Sequence, residues 1–354
     1  MRTPPSNPAI VNVQQVLDQF QAYDTIIDVR TPAEFEEDHL PGAINLPVLD
    51  NDQRILVGTG YKGDPFTAKK IGAALMSRNI AHHLEQHLLN RPKDWSPLVY
   101  CWRGGNRSGG MATVLAKIGW RVSLLEGGYK AYRTHLMASL PGLVSRLAFR
   151  VVCGPTGSGK TRLLGCLAEQ GQQVLDLEAL ACHRGSLLGA EPSSPQPSQK
   201  AFESLLFDRL RTLTPDRPVY VESESKKIGN LHLPDALMTQ MRASDCIRIE
   251  MPTTARVCLL CEEYQHFLDN PGPLIQQLQK MAPLVGHGTV EGWLAQVTAR
   301  DWPGLVGALL AVHYDPSYHR SIQRNFLKIA QATTVTIATA QRSDYEAAAA
   351  SLSA

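Results

Sequence analysis

Short apolar runs that end in polar loops alternate with helical stretches near the start of the chain. The runs TIIDVR (residues 25–30) and PLVYCW (97–102) have the character of strands buried inside a parallel sheet. Residues 65–89 and 110–120 instead repeat their apolar positions at helical spacing. RVSLLEGG, residues 121–128, indicates one more strand closed by glycines. This alternation predicts a small α/β domain.

We assign that domain to residues 1–135 and a linker, which contains Pro141 and Gly142, to residues 136–146. A second α/β domain is predicted over residues 147–252, where a further set of apolar runs appears. Its predicted strands are LAFRVVC (147–153), QVLDLE (173–178), PVYVESES (218–225) and CIRIEM (246–251).

The remainder of the chain has a different pattern. Residues 253–354 are mostly helical in their spacing, and we expect them to pack on the second domain, with TTVTIATA (333–340) as a last strand. The Pro/Ser-rich stretch at residues 191–199 is predicted to form a mobile loop. The expected fold class is therefore α/β, in two α/β domains with a helical C-terminal extension.

Composition narrows the class of protein. The 354 residues are 44% hydrophobic, which is enough for the cores of two or three domains. No stretch approaches eighteen uncharged apolar residues and the N-terminus lacks a signal-peptide pattern, so we expect a soluble, cytoplasmic protein with no membrane partner. The seven cysteines do not resemble a disulfide framework. A net charge of +2 neither requires nor excludes a polyanionic partner.

GPTGSGKT, residues 154–161, fits the phosphate-loop pattern and lies between a predicted strand and a predicted helix. Three glycines, Gly154, Gly157 and Gly159, allow the backbone N–H groups to face a phosphate chain. Lys160 can reach the terminal phosphates, and the Thr161 hydroxyl can ligate Mg²⁺. The loop predicts binding of a phosphate chain without saying which one, and no other motif indicates a tightly bound cofactor.

Hydrolysis of a nucleotide would also need a carboxylate at the end of a neighbouring strand. The candidates are Asp176, Glu178, Glu222 and Glu224, and none of them stands out from the others. The sequence therefore leaves nucleotide turnover, and the presence of a metal, open.

YCWRGGNRSGG, residues 100–110, places Cys101 at a strand end, before a loop rich in glycine and arginine. Gly104 and Gly105 permit tight curvature that turns backbone N–H groups toward the sulfur, and Arg103 and Arg107 add positive charge. Such a loop favours a thiolate and cradles an anion. The alternative is a buried structural cysteine, in which two arginines would have no purpose.

DVRTPAEFEEDHLPGAINLP, residues 28–47, resembles the first signature of rhodanese domains, which carry sulfur or selenium on a loop cysteine. Cys101 falls where that cysteine belongs. The rhodanese loop has C-x4-R spacing, whereas Cys101 and Arg107 are spaced C-x5-R, as in the phosphatases related to rhodaneses. The extra residue predicts a wider cradle that suits a tetrahedral, phosphate-like anion.

The two motifs on one chain resemble the tRNA 2-selenouridine synthase family. The strings that carry this resemblance are YKGDPFTAKKIGAALMSRNIAHHLE (61–85), YCWRGGNRSGG, EGGYKAYR (126–133), GPTGSGKT, DLEALACHRGSLLG (176–189) and VYVESESKKIGN (219–230). The resemblance implies a transferase that converts wobble 2-thiouridine of tRNA to 2-selenouridine through S-geranyl-2-thiouridine. It implies geranyl diphosphate and selenophosphate as substrates, the anticodon region of tRNA as partner, and an enzyme that supplies selenophosphate.

Two phosphorylated substrates match two anion cradles. We expect the phosphate loop, with Lys160 and Thr161, to hold the diphosphate of geranyl diphosphate. We expect the Cys101 loop to handle selenophosphate or selenium derived from it. The converse assignment is the alternative.

A tRNA substrate requires a positive surface. Arg320, Arg324 and Lys328 recur every four residues and are predicted to share one helix face, beside His319. Further candidates follow predicted strands, where ligand-facing loops of α/β sheets lie: Arg184, Lys226 and Lys227. Ordinary solvated charges are the alternative for each of these residues.

Other cysteines are assigned to packing. Cys258 and Cys261 lack a second metal-binding pair, so we expect both in a helical core, and Cys153 and Cys166 have apolar neighbours.

Two other functions remain as alternatives. One is a small-molecule kinase or NTPase fused to a rhodanese or phosphatase-like module, which would be indifferent to tRNA. The other is a non-catalytic redox or anion sensor, whose Cys101 would be alkylated slowly at neutral pH.

Overall fold

The computed structural model describes residues 7–191 and 194–353, and the described chain forms two compact units. The first unit contains the residues up to Ser139 together with Glu203–Phe207. The second contains the rest of the described chain. Each unit is built on its own five-stranded sheet.

The first unit has a parallel sheet in the order β1-β5-β4-β2-β3. Its strands are β1 (Ala9–Val11), β2 (Thr25–Asp28), β3 (Ala43–Asn45), β4 (Pro97–Tyr100) and β5 (Ser123–Leu125). Its helices are α1 (Val13–Asp18), α2 (Pro32–Glu37), α3 (Asn51–Gly63), α4 (Pro65–His83), α5 (Asn106–Ile118) and α6 (Gly128–Ser145). The predicted strands and helices of this region are confirmed.

The burial of these strands explains their apolar sequences. All four residues of β4 are buried, and the strand lies in the middle of the sheet. The core gathers side chains from β2, β4 and α5, among them Ile27, Val99 and Met111. Burial on this scale fixes the carboxyl end of β4, from which Cys101 emerges.

The second unit has a parallel sheet in the order β12-β11-β6-β8-β7, and a separate two-stranded antiparallel pair. Its strands are β6 (Phe149–Cys153), β7 (Gln173–Leu175), β8 (Val219–Glu222), β9 (Lys227–Ile228), β10 (Leu231–His232), β11 (Asp245–Glu250) and β12 (Thr333–Thr336). The expected last strand is therefore present, at the edge of the sheet. The central β6 leads into the phosphate loop. Later strands of the chain are added on both sides of β6, so the loop lies at the topological switch point, which is where open α/β sheets bind ligands.

Helices make up most of the second unit. They are α7 (Lys160–Glu169), α8 (Leu177–Ala181), α9 (Gln199–Thr212), α10 (Asp235–Ala243), α11 (Thr253–Glu263), α12 (Gln265–Asp269), α13 (Gly272–Lys280), α14 (Ala282–Val285), α15 (His287–Ala299), α16 (Trp302–Leu309), α17 (Asp315–Asn325) and α18 (Arg342–Ser353). The last of them packs on α7, where Tyr345 is fully buried beside Leu163. The predicted fold class, with its helical C-terminal part, is confirmed.

Two local features differ from the patterns that predicted them. The segment expected as an irregular linker, 136–146, is largely helical, because α6 continues through Pro141 to Ser145. Pro192 and Ser193, which belong to the predicted loop at 191–199, lie outside the described residues, and α9 begins at Gln199. No helix within the described ranges has the length and apolar character needed to cross a membrane.

Candidate active sites

Cys101 follows directly after β4, and its side chain is buried. The loop of residues 102–105 separates it from α5, so the first turn of that helix faces the sulfur. Within that turn, Ser108 is fully buried and its hydroxyl donates a hydrogen bond to the Cys101 sulfur at 3.1 Å. The sequence places Ser108 next to the loop, but its role becomes clear only from this contact.

The environment of the thiol favours its ionised form. Burial by itself would raise the pKa of Cys101. Hydrogen bonds from the hydroxyl and backbone of Ser108 and from the backbone N–H of Arg103, together with the charge of Arg107, outweigh burial and lower that pKa. A thiolate stabilised in this way can act as a nucleophile or as a metal ligand.

Residues at the start of α6 contact the backbone of the cysteine loop. The N–H of Tyr129 donates to the Cys101 carbonyl at 2.8 Å, and a Cβ on Gly128 would lie 2.2 Å from that same oxygen. The buried Arg30, paired with Asp28, stacks over the Tyr129 ring at 3.9 Å. The DVR and EGGY strings, which carry part of the family resemblance, therefore both support the position of Cys101.

The two arginines of the loop have different surroundings. The guanidinium of Arg107 forms a bidentate pair with Glu34 of α2, at 2.6 and 3.2 Å. Arg103 is exposed and pairs with no side chain in the described ranges, so it is the free cation of the loop. Gly104 adopts the left-handed region (φ 68°), where a side chain would meet the carbonyl of Leu125, whereas Gly105 has open space around it.

The phosphate loop lies between the central strand β6 and the helix α7, as its motif requires. Lys160 donates from its ammonium to the Gly154 carbonyl at 3.2 Å, so its charge lies over the loop. The Thr161 hydroxyl donates to Glu178 at 3.0 Å. Gly159 caps α7 in the left-handed region (φ 70°), and a Cβ there would collide with Tyr345.

A cavity of about 770 Å³ opens in front of this loop. Phosphate-loop residues form its base, and Ser317, Tyr318 and Ser321 of α17 form part of its opposite wall. Cys182, in the left-handed region (φ 47°), also lines it. The cavity has room for a ligand much larger than a phosphate chain.

Carboxylates crowd one side of this cavity. Glu222 is fully buried and accepts the N–H of Glu178 at 3.1 Å, while its other oxygen has no partner among the described residues. Burial and the charges of Asp176 and Glu178 raise the pKa of Glu222 well above its usual range. Burial and the neighbouring Glu224 raise the pKa of Glu178 to about 7. The group therefore carries fewer negative charges near neutral pH than its composition suggests.

The acidic candidates differ in what they contact. Asp176 caps α8, accepting the N–H of Ala179 at 2.8 Å. Glu178 and Glu224 line the cavity, and carboxylate oxygens of both lie within 2.9 Å of the position that a Cβ on Gly185 would take. In the described ranges, no three His, Cys, Asp or Glu side chains are arranged as a ready metal site. The Thr161 hydroxyl nevertheless supplies an oxygen ligand of the kind that Mg²⁺ uses alongside substrate phosphates.

Arg256 supports the phosphate loop from behind. This buried residue donates to the Thr156 carbonyl at 2.8 and 2.9 Å and pairs with Asp315, the first residue of α17, at 2.5 Å. It therefore fixes the loop to the helix on the other side of the cavity. Nothing in the sequence signals this role, because the partners lie 59 and 100 residues away.

The three basic residues predicted to share one helix face for tRNA binding do not all lie on that face. Arg320 and Arg324 lie exposed on α17, as predicted, but α17 ends at Asn325, so Lys328 does not share its face. Phe326 turns inward and is buried, which breaks the helix, and Lys328 pairs instead with Asp245 at 2.8 Å. The prediction of a single three-residue face was therefore wrong.

The other basic candidates also differ in how free they are. Arg184 pairs with Glu191 at 2.6 Å and stacks over Tyr264. Lys226 pairs with Asp235 at 2.7 Å, in an exposed pair of little energetic value, and Lys227 is exposed.

The predicted core position of Cys258 was also wrong. Helix α11 buries Arg256, Leu259 and Leu260, and Cys258 points away from that face and is exposed. Cys261 is half-buried, whereas Cys153 and Cys166 are buried as expected.

Comparisons with known proteins match both units. The family model described as the tRNA 2-selenouridine synthase AAA domain matches residues 147–280. The model of the rhodanese-like domain matches residues 12–135. A solved rhodanese-related protein from Thermoplasma volcanium is 20% identical, with a TM-score of 0.25, over 36% of this chain and 92% of that chain.

Relatives extend over most of the chain. A tRNA 2-selenouridine synthase from Nitrosomonas europaea is 36% identical over 312 residues, which cover 86% of this chain and 80% of that protein. Another, from Alcanivorax borkumensis, is 31% identical and covers 84% of this chain and 90% of that protein. The expected resemblance is confirmed, and the chain belongs to the tRNA 2-selenouridine synthase family.

Proposed function

We propose that the protein converts wobble 2-thiouridine in tRNA to 2-selenouridine in two steps, first geranylation and then selenation. The substrates are geranyl diphosphate and selenophosphate, so the enzyme is a transferase. The observation that carries this proposal is the presence, in one chain of this family, of an activated thiol in an anion cradle and of a separate phosphate loop with a large cavity. Each phosphorylated substrate then has a site of its own.

In the first step the thiocarbonyl sulfur of the base attacks C1 of the geranyl group. The carbon–oxygen bond breaks, and diphosphate leaves with the bonding electrons. Backbone N–H groups of the phosphate loop and the ammonium of Lys160 stabilise this leaving charge. Bound with the diphosphate, Mg²⁺ would neutralise further charge, with the Thr161 hydroxyl as its protein ligand.

The base also loses its N3 proton during geranylation. A group that accepts this proton near neutral pH should have a pKa close to 7. Glu178 meets this condition, and it lines the same cavity as Lys160. We therefore assign Glu178 as the candidate proton acceptor.

In the second step hydrogen selenide, released from selenophosphate when water takes its phosphoryl group, attacks C2 of the base, and the carbon–sulfur bond breaks so that geranylthiolate leaves with the bonding electrons. Alkylation prepares this step, because a thioether is a better leaving group than a thiocarbonyl sulfur. The Cys101 loop binds selenophosphate, or the selenium released from it when water takes its phosphoryl group. The backbone N–H groups around the sulfur and the exposed Arg103 suit an anion of this size. An enzyme that makes selenophosphate would supply the donor.

For tRNA, Lys227, Arg320 and Arg324 remain the exposed candidates for phosphate contacts. Lys226 and Lys328 join them if their exposed ion pairs exchange an acidic partner for a phosphate. Replacing such residues should reduce the salt dependence of tRNA binding.

The test is nucleoside mass spectrometry of tRNA bearing 2-thiouridine after incubation with the protein. With geranyl diphosphate alone we expect the S-geranyl nucleoside, and with selenophosphate added we expect 2-selenouridine. Absence of both products would refute the proposal. Hydrolysis of a nucleotide stimulated by a small metabolite, with no dependence on tRNA, would favour a kinase instead.

A further inference from the structure

An apolar chamber opens off the phosphate-loop cavity within the second unit. Helix α16 supplies more of its lining residues than any other helix, with further residues from α11, α12 and α13, and among the described residues no charged side chain lines it. The residues found only in this chamber are apolar, and they include Leu188, Phe267, Leu274, Trp302, Val306 and Leu309. A water-filled space with such a lining is unfavourable, so the chamber suits a hydrocarbon group.

The chamber and the phosphate cavity share a wall. Thr156, Ser186, Leu260, Tyr264 and Tyr314 line both spaces. At this boundary the phosphate loop itself touches the chamber wall, because a Cβ on Gly157 would lie 2.7 Å from Leu260. A single ligand can therefore place a charged head at the loop and an apolar tail in the chamber.

The volume of the chamber limits the size of that tail. It measures about 60 Å³, and a buried water needs about 10–15 Å³ by the same measure. About four to six water-sized groups fit, which corresponds to one five-carbon isoprene unit. A chain of two such units would lay its first unit in the larger cavity and its second in the chamber.

The backbone next to the chamber departs from regular helix. Residues Leu310–Tyr314 form a π-helical turn between α16 and α17, and its first and last residues line the chamber. Such turns occur often at functional sites, because the extra residue redirects the side chains that follow. Here the turn brings Tyr314 to the boundary between the two spaces.

We propose that this chamber binds the distal isoprene unit of an allylic diphosphate whose head lies at the phosphate loop. The proposal rests on the proposed function for the identity of the head group, and it adds the tail site and a limit on chain length. Val306 and Leu309 set that limit, as residues of α16 that line the chamber.

A packing defect is the competing explanation, because incompletely filled apolar spaces also occur in helical cores. The two explanations differ in what happens when the space is filled. Filling a defect stabilises the protein and leaves ligand binding unchanged. Filling a tail site removes the part of the affinity that the tail provides.

The experiment measures the affinity of the full-length protein for inorganic diphosphate, dimethylallyl diphosphate and geranyl diphosphate by calorimetry in the presence of Mg²⁺. We expect the wild type to bind geranyl diphosphate on the order of 10- to 100-fold more tightly than dimethylallyl diphosphate, because only the longer chain reaches the chamber. Val306→Trp should remove most of that difference and leave the affinity for inorganic diphosphate unchanged. Val312→Trp is the matched control, since Val312 is 48% exposed in the neighbouring turn and lines neither space.

A second variant tests the same site in case Val306→Trp fails to fold. Leu309→Ala enlarges the chamber, and we expect it to shift the preference toward farnesyl diphosphate, which is one isoprene unit longer. Unchanged preferences in both variants, or a Val306→Trp protein that is more stable and binds geranyl diphosphate normally, would overturn the chamber as a tail site. Those results would leave the proposed function intact, whereas failure of the wild type to bind any of the three diphosphates would reject the phosphate-loop assignment itself.

Discussion

Replacing Ser108 with alanine tests whether the cysteine loop activates its thiol. The Ser108 hydroxyl lies 3.1 Å from the Cys101 sulfur and is fully buried, so water cannot take its place. A hydrogen bond to a charged group contributes about 1.5–3 kcal/mol, and about 1.4 kcal/mol corresponds to one pKa unit. Loss of this bond should therefore raise the pKa of Cys101 by about one to two units.

The assay is the rate of Cys101 alkylation by iodoacetamide as a function of pH, followed on the peptide that contains Cys101. Only the thiolate reacts, so the rate rises as pH increases through the pKa, and Ser108→Ala should move this rise to higher pH. Thr113→Ala is the matched control, because Thr113 lies on the exposed face of the same helix. An alkylation midpoint that stays in place in Ser108→Ala would refute the assignment of Ser108 as the thiolate's partner.

Two further predictions concern the phosphate-loop cavity. Glu178 is largely protonated below its pKa of about 7 and gains a negative charge above it. Without Mg²⁺, the wild type should therefore bind diphosphate less tightly than Glu178→Gln as pH rises from about 6 to about 8. Calorimetry should give a ratio of the two affinities that changes with pH, and a constant ratio would contradict the raised pKa of Glu178. Arg256→Met should destabilise the second unit by about 2 kcal/mol, because it leaves the Thr156 carbonyl and Asp315 without their charged partner. Thermal unfolding should show this loss of stability, and adding Asp315→Asn to the Arg256→Met chain should recover part of it. An unchanged unfolding midpoint in Arg256→Met would contradict the supporting role of Arg256.

The buried strands and the phosphate loop were predictable because their signals are local. Strands such as Pro97–Tyr100 and Val219–Glu222 are buried at every residue, and such runs of apolar residues are distinctive in a sequence. The phosphate loop likewise combines a short motif with a strand before it and a helix after it. These features fixed the fold class and the positions of Cys101 and Lys160 within it.

Side-chain partners were not predictable, because they depend on contacts between distant segments. Arg107 was assigned to the anion cradle from its spacing, yet its guanidinium pairs with Glu34, 73 residues away. The sequence does not indicate that Glu34 contacts Arg107, because the position of Glu34 is already explained by the capping box that it forms with Thr31 at the start of α2. The free cation of the loop is Arg103.

Tertiary packing also overrode helical spacing near Lys328. The four-residue interval from Arg320 predicted a continued helix, but burial of Phe326 ends α17 one residue earlier. The apolar chamber is a similar case, because its lining comes from helices that are separate in the sequence and rich in leucine throughout. Neither feature has a local pattern that distinguishes it.

Separate variants of the two cradles show whether the cradles perform successive steps. Cys101→Ser and Lys160→Ala should each be incubated with 2-thiouridine tRNA, geranyl diphosphate and selenophosphate, and the nucleosides should be measured by mass spectrometry. We predict that Cys101→Ser accumulates S-geranyl-2-thiouridine without 2-selenouridine, and that Lys160→Ala forms little of either product. Selenation by Cys101→Ser, or loss of geranylation in that variant alone, would show that the two cradles do not divide the steps in this way.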